Sequence, residues 1–434
     1  MSSSRAVAPL LVAVMLLVFG TNLQGVLLPI LGHTRGAGMT AIGLYSAGWS
    51  AGFVLACLSN GWILAFFGPV WAFAMLALVS ATAAMLLLLV PGDPSWIVLR
   101  VVIGFCYGGL SAIVEGWLVA QAGVGIGFAS YVAVGLIASL CGTLSLNVIN
   151  PHGAAPFVLM TGAVLGSILP VLLCRRTRPA RMKPFRTDII GLVRQSPVGG
   201  LGCVAAGLIT GAVGGLGPIL GMMGGLGMRE DTLMLAANTV GGTLASIPVA
   251  LLGRAFGRRL MLGGIALLGV AACVPLVLPL PGVSLVVLLG VFGCAQYPLY
   301  GLCVGIANAQ APERPAARIS TELLLLFGLG TIVGPLIAAP LLARGIDWMF
   351  GFLGAIFGAI AVAATLTQSG TLIQVTGSAD AKPQPHGADM QDDAPQLNAI
   401  SLDHQSPQSE PRGLQGNMEG PGRQEPGRGH GLPP

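Results

Sequence analysis

Three ionisable residues stand inside long apolar runs: Arg100, Glu115 and Glu322. A charge at the centre of a membrane helix costs about 2.5–3.5 kcal/mol on insertion scales, so each needs a reason. Two readings of Arg100 stand side by side. It is a fixed cation beside a cavity, able to hold an anionic group, or a long side chain reaching back to the headgroups. Glu115 lies about 22 Å further along the same helix, too far to pair with it. Near the helix end, Glu115 suits a local gate that accepts hydrogen bonds from a neighbouring loop. Glu322 follows Arg318, Ser320 and Thr321, where the helix dipole favours a carboxylate and Ser320 can cap. A proton-carrying role for Glu322 is the alternative.

Uncharged polar residues mark a second set: Asn22, Gln24, Asn238, Thr239, Gln296, Tyr297 and Tyr300. Any one of them could be satisfied by an interhelical hydrogen bond worth about 0.6 kcal/mol. As a set they predict a polar-lined cavity. Glycines crowd before Pro218 (Gly207, Gly211, Gly214, Gly215, Gly217) and before Pro335 (Gly328, Gly330, Gly334). Small faces pack closely and slide, and Gly-Pro steps permit bending.

Enzyme chemistry has no foothold in the sequence, which shows no HExxH, nucleophile elbow, Walker A string or metal-spaced histidine set. No cofactor and no metal site is expected, and the eight cysteines form no CxxC pair and read as small packing residues. The net charge of +5 comes from clustered basic residues, so no nucleic-acid partner is expected.

The elements that position these residues follow from hydropathy. Hydrophobic residues make up 54% of the chain and charged ones 9%, against roughly a quarter charged in soluble domains. A span needs about twenty apolar residues. Windows of that length fall near 7–30, 41–64, 69–90, 95–120, 128–149 and 154–174, then near 198–224, 232–253, 260–280, 283–307, 319–343 and 347–368. The chain is therefore expected to be an all-α integral membrane protein of twelve transmembrane helices in two six-helix halves, residues 1–174 and 197–368. Arg175 to Ser196 reads as a basic connecting loop, with Arg175, Arg176, Arg178, Arg181, Lys183, Arg186 and Arg194. Arg5, Arg254, Arg258, Arg259, Arg314 and Arg318 fall on the same side, against Arg35, Arg229 and Arg344 on the other. The positive-inside rule then makes both termini and the loop cytoplasmic. From 369 to 434 Pro, Gly, Gln, Asp and Ser dominate, which predicts a disordered cytoplasmic tail, either inert or recruiting a protein partner.

The six–loop–six plan resembles the major facilitator superfamily of secondary transporters over roughly residues 1–368. Arg100 and Gly104 in RVVIG resemble its fourth-helix motif, and GRAFGRR, Gly253 to Arg259, resembles the second-half copy of its basic loop motif. Gly330, Gly334 and Pro335 resemble its Gly-Pro helix motif. Within the superfamily, IVEGWLVAQAG and ISTELLLLFGLGTIVGPLIAAPLL are similar to the bacterial YcaD-like permeases. The resemblance implies two halves rocking about a midplane site. It also implies gating or coupling roles for Glu115, Glu322, Arg258 and Arg259. Two departures stand out. The first-half loop reads GWILAFFGPVW, with Ala65, Phe66, Pro69 and Val70 where charges are usual, so Glu115 lacks the partner that the family supplies. The stretch Gly135 to Leu144 carries no proline, which gives no support to drug antiport.

The expected function is secondary transport of a small molecule or ion, in a bacterial inner membrane and surrounded by lipid, with protons as the candidate coupling ion. Helices 1, 4, 7, 8 and 10 are expected to line the cavity. The rival reading is a transporter-like scaffold or sensor acting through its tail.

Overall fold

The computed structural model describes residues 3–90, 92–122, 124–173, 188–278 and 282–378, which are almost wholly helical. Twelve of its helical segments are long and apolar enough to cross a membrane. The first half comprises α1 (Ser3–Thr34), α2 (Met39–Phe67), α3 (Pro69–Leu89), α4 (Asp93–Ala122) and α5 (Val124–Leu144). Its sixth crossing is split into α6 (Ala155–Gly166) and α7 (Ile168–Leu173). A short helix α8 (Ile189–Gln195) precedes the second half. There the seventh crossing runs through α9 (Pro197–Leu216), a 3₁₀ turn at Gly217–Ile219 and α10 (Leu220–Met223). The remaining crossings are α11 (Met228–Ala255), α12 (Arg258–Leu276), α13 (Gly282–Gln310), α14 (Ala316–Leu342) and α15 (Ile346–Ser378).

Glycine sets which helices touch. A Cβ at Gly104 of α4 would fall on the Trp49 carbonyl of α2, and one at Gly293 of α13 on the Asn238 carbonyl of α11. Likewise Gly142 of α5 abuts Phe19 of α1, and Gly330 of α14 abuts Val204 of α9. Crossings 2 with 4 and 1 with 5 thus pack in the first half as 8 with 10 and 7 with 11 do in the second. Without a hydrophobic drive between helices in lipid, such backbone approach supplies the packing. The turns repeat as well. Gly68 between α2 and α3 (φ 71°) and Gly257 between α11 and α12 (φ 94°) occupy matching places in left-handed backbone. The first-half turn therefore keeps its shape although its charges are gone.

Large apolar residues face outward. Trp62 and Phe66 are each 84% exposed, as befits a lipid-facing surface.

Four expectations need correction or extension. Pro218 does break its crossing, but Pro335 sits within an unbroken α14. Ser320 is not the cap of α14: the helix begins at Ala316 behind Pro315, because Ala316, Ala317 and Arg318 propagate it readily. The segment read as a loop to Ser196 ends in α8, which Asp188 caps by accepting from the Gly191 N–H at 3.0 Å. Finally, α15 runs past the expected end at 368 to Ser378, since the first following proline is Pro383. The expected tail beyond Ser378, and Arg175 to Arg186 of the basic segment, lie outside the described residues.

We call the face carrying Arg258, Arg314 and Arg318 the basic face and the opposite one the distal face. The halves meet from the middle of the bundle to the distal face. Thr232 at the start of α11 donates to Asn147 at 2.9 Å, just after α5. Gly215 of α9 lies against Ser46 of α2, and Gly43 of α2 against Pro335 and Ala339 of α14. Deeper in, Gly328 of α14 meets Val54 of α2.

Candidate functional site

Beneath that seam lies a cavity of ≈ 310 Å³ between the halves, at the lower end of the ~300–1,000 Å³ usual for small-molecule sites. Of the residues expected there, Asn22, Arg100, Asn238, Thr239, Gln296 and Tyr297 line it. Gln24 and Tyr300 do not. Gln24 is buried behind the wall and accepts from Arg100 Nη1 at 3.0 Å, while the Tyr300 ring packs on Phe327, centroids 4.9 Å apart.

Arg100 is held from two other helices. Its Nε donates to the Tyr45 carbonyl of α2 at 3.0 Å, and its Nη1 to Gln24 of α1. Its guanidinium carbon lies 5.9 Å from the Trp49 ring centre, within cation–π range. With 6% exposure it points into the bundle, not toward the headgroups. The Tyr45 side chain is fixed in turn: its hydroxyl donates to Asp93, and its ring meets Trp96 at 5.6 Å. Arg35 stacks over Trp96 at 5.0 Å, which completes a cluster at the distal face.

The second-half wall is an amide–hydroxyl network. Asn238 Nδ2 donates to the Leu289 carbonyl at 3.2 Å and approaches Gln296 Oε1 at 3.4 Å. Gln296 Nε2 reaches Thr210 at 3.5 Å, and the Tyr297 hydroxyl donates to Thr239 at 3.3 Å. In the first half, Ser139 donates to Asn22 at 2.8 Å.

Other lining residues went unread in the sequence: Thr21, Ser46, Trp49, Tyr107, Thr143 and Thr331. Crossings 2, 5 and 11 therefore line the cavity besides 1, 4, 7, 8 and 10. Single Ser and Thr residues in apolar helices carry almost no sequence signal, because they can bond their own helix backbone, as Thr331 does with Gly328 at 2.8 Å. Asp231 was also missed. The eighth window began at 232, whereas α11 starts at Met228 and buries Asp231 completely. Its Oδ1 accepts from the Gly221 N–H at 2.9 Å, and its Oδ2 has no partner among the described residues.

The expected gating residues lie toward the basic face. Glu115 accepts from Tyr131 of α5 at 2.5 Å, a helix partner instead of the loop expected. Glu322, fully buried, accepts from Arg318 Nε at 2.9 Å and from Arg314 at 3.3 Å, and it takes the Asp188 N–H at 2.6 Å. Arg314 also pairs with Asp188 at 2.9 Å. The Gly191 N–H first, and the Arg314 guanidinium second, hold the Asp188 carboxyl below the usual carboxylate range. These contacts pin α8 to the start of α14. Arg258 donates to the Gly305 carbonyl at 2.7 Å, tying α12 to α13, with Arg259 beside it.

No family model matches the chain. Among curated proteins, the uncharacterised MFS-type transporter YcaD of Salmonella arizonae is 23% identical over 358 residues, 79% of this chain and 91% of that protein. YcaD of Escherichia coli is 24% identical over the same shares. Among solved structures, the nucleoside transporter NupG superposes with a TM-score of 0.70 at 13% identity, covering 83% of this chain and 98% of that one. An auto-inhibited POT family peptide transporter gives 0.65 at 13% identity, covering 83% and 96%. The chain has the major facilitator fold and is a multi-pass integral membrane protein. The sequence relatives are MFS-type transporters of bacteria, in line with the resemblance read from its motifs, and relatives and structural neighbours alike are transporters, not enzymes.

Proposed function

We propose that this chain, a multi-pass membrane protein with the major facilitator fold, is a secondary transporter. It moves a small solute across a bacterial inner membrane by alternating access, driven by protons. The observation that carries the reading is the polar-lined cavity between the halves, beneath a seam at the distal face. The arginines of the basic face, among them Arg194, Arg258, Arg259, Arg314 and Arg318, against Arg35, Arg229 and Arg344 on the distal face, support a cytoplasmic placement of the basic face and of both termini. The described state is then inward-open, and rocking of one half on the other would break the seam and expose the cavity to the outside.

Asp231 supports proton coupling. A buried carboxylate oxygen with no donor is costly unless the group is protonated. Asp231, Leu235 and Asn238 follow one another at helical spacing, so the carboxyl sits just distal to the cavity wall, beside the seam residue Thr232. Arg229 and Glu230 are the charged groups nearest in sequence on its own helix. On the elements packed against that end of α11, namely α5, the 3₁₀ turns Ser145–Asn147 and Gly217–Ile219, α10 and α13, the described residues carry no Asp, Glu, Lys or Arg. Opening the seam would let Asp231 exchange its proton with the outside.

The test is uptake into proteoliposomes from a broad solute panel, with and without an inward proton gradient and with a pH-sensitive dye inside. Gradient-driven uptake accompanied by acidification of the lumen is expected. The pair Asn147→Cys and Thr232→Cys, once oxidised, should stop that uptake, and reductant should restore it. Uptake indifferent to the cross-link would refute alternating access through this seam. Uptake indifferent to the gradient would refute the coupling.

A further inference from the structure

Arg100 has five N–H donors, of which protein acceptors take two, at Tyr45 and Gln24. Three remain on a side chain that is 94% hidden from solvent and forms part of the cavity wall. No carboxylate pairs with it: the ion pairs among the described residues all involve Arg314 or Arg318. It is also the single charged residue among those lining the cavity. A buried guanidinium without a counter-charge is held at a cost that a bound anion would offset. Next to it, Trp49 Nε1 is a buried donor without an acceptor among the described residues. The Trp49 and Tyr107 rings, 5.5 Å apart, make the adjoining wall aromatic.

We propose that the cavity binds a small monoanion, a carboxylate with a compact apolar or aromatic body, its charge on the free edge of Arg100. Because the transport reading makes this cavity the cargo site, that anion is the transported solute. The planar guanidinium fork matches a carboxylate in two parallel hydrogen bonds. One cation balances one negative charge, whereas a phosphate dianion would need a second cation that the lining lacks. The apolar body would lie against Trp49 and Tyr107, and polar substituents would meet Thr210 and Gln296 across the cavity. Proton symport with a monoanion is electroneutral, so flux would be read by label or pH dye and not as current.

The test uses purified full-length protein and thermal unfolding midpoints with matched probes: benzoate against benzamide, hexanoate against hexanamide, and inorganic phosphate. At least one carboxylate should raise the midpoint while its neutral amide and phosphate do not, and Arg100→Gln should lose that shift. Where Arg100→Gln fails to fold, Arg100→Lys keeps the charge without the fork and should bind the same carboxylate at least tenfold more weakly. Amides that stabilise as well as their acids would overturn the proposal. So would a carboxylate shift unchanged in Arg100→Gln or Arg100→Lys, a larger shift from phosphate, or no shift from either carboxylate. The two readings fail separately. Uptake of a neutral solute that survives Arg100→Gln would overturn the anion site and leave transport standing. Arg100-dependent carboxylate binding without any flux would do the reverse.

Discussion

Replacing Gly104 by Ala tests whether backbone contact between α2 and α4 is what places Arg100. A Cβ there would fall on the Trp49 carbonyl oxygen, with the Trp49 carbonyl carbon at 2.8 Å and its Cα at 2.9 Å. All three are backbone atoms of a facing helix, so no side chain can swing aside. Ordinary carbon contacts lie at about 3.5–4.0 Å, so the helices must separate by roughly 1 Å. Overpacking of this kind costs about 1–3 kcal/mol. Separation also stretches the 3.0 Å bond from Arg100 Nε to the Tyr45 carbonyl beyond hydrogen-bonding range, and a bond to a charged group contributes about 1.5–3 kcal/mol. The expected loss is therefore about 2.5–6 kcal/mol. Gly116 lies on the same helix with nothing within 4 Å of its would-be Cβ, so Gly116→Ala should be neutral or gain up to about 1 kcal/mol from helix propensity. Denaturant-titrated unfolding of both variants in mixed micelles reads the difference. Two variants that agree within about 0.5 kcal/mol would refute the packing argument.

Three further outcomes follow from the basic-face network and the seam. Glu322→Gln removes the fully buried partner of Arg314 and Arg318 and should cost about 3–5 kcal/mol, with faster hydrogen exchange in α8; unchanged exchange there would show that the network does not hold α8. The lowered pKa of Asp188 means that its support of α8 is complete above its unfolded value near 3.9 and is lost as pH falls through the lower folded value. Protection of the Gly191 amide should then be level from neutral pH down to about 5, corrected for intrinsic exchange, and absent in Asp188→Ala. Asn147→Ala deletes a hydrogen bond between the halves worth about 0.5–1.5 kcal/mol, which shifts the balance toward the opened seam by about 2- to 10-fold. Labelling of a cysteine placed at Ser46 by an impermeant maleimide added on the distal side alone should rise accordingly.

The crossings and their number were legible because the cost of leaving backbone and charge in lipid is local and adds up along a window of sequence. The glycine contacts between α9 and α14 were foreshadowed for a similar reason, since small residues at helical spacing have few other uses in lipid. Much of the cavity wall could be anticipated too: Asn22, Asn238, Gln296 and Tyr297 are polar groups that an apolar environment penalises wherever they stand. What a residue faces was not legible. Asn22 and Gln24 are about 200° apart around α1 at ~100° per residue, and only the placement of α4 and α5 puts one on the cavity and the other behind Arg100. Tyr300 shares a helix face with Tyr297 but is covered by Phe327 of α14. Both readings of Arg100 fit its position in the chain, and the acceptors on two other helices that hold it inside the bundle come only with the packing. Asp231 shows the limit at an element boundary, where a shift of a few residues turns a loop acid into a buried one. Hydropathy is a property of a segment, whereas burial and hydrogen-bond partnership belong to pairs of segments, so only the packed bundle settles them.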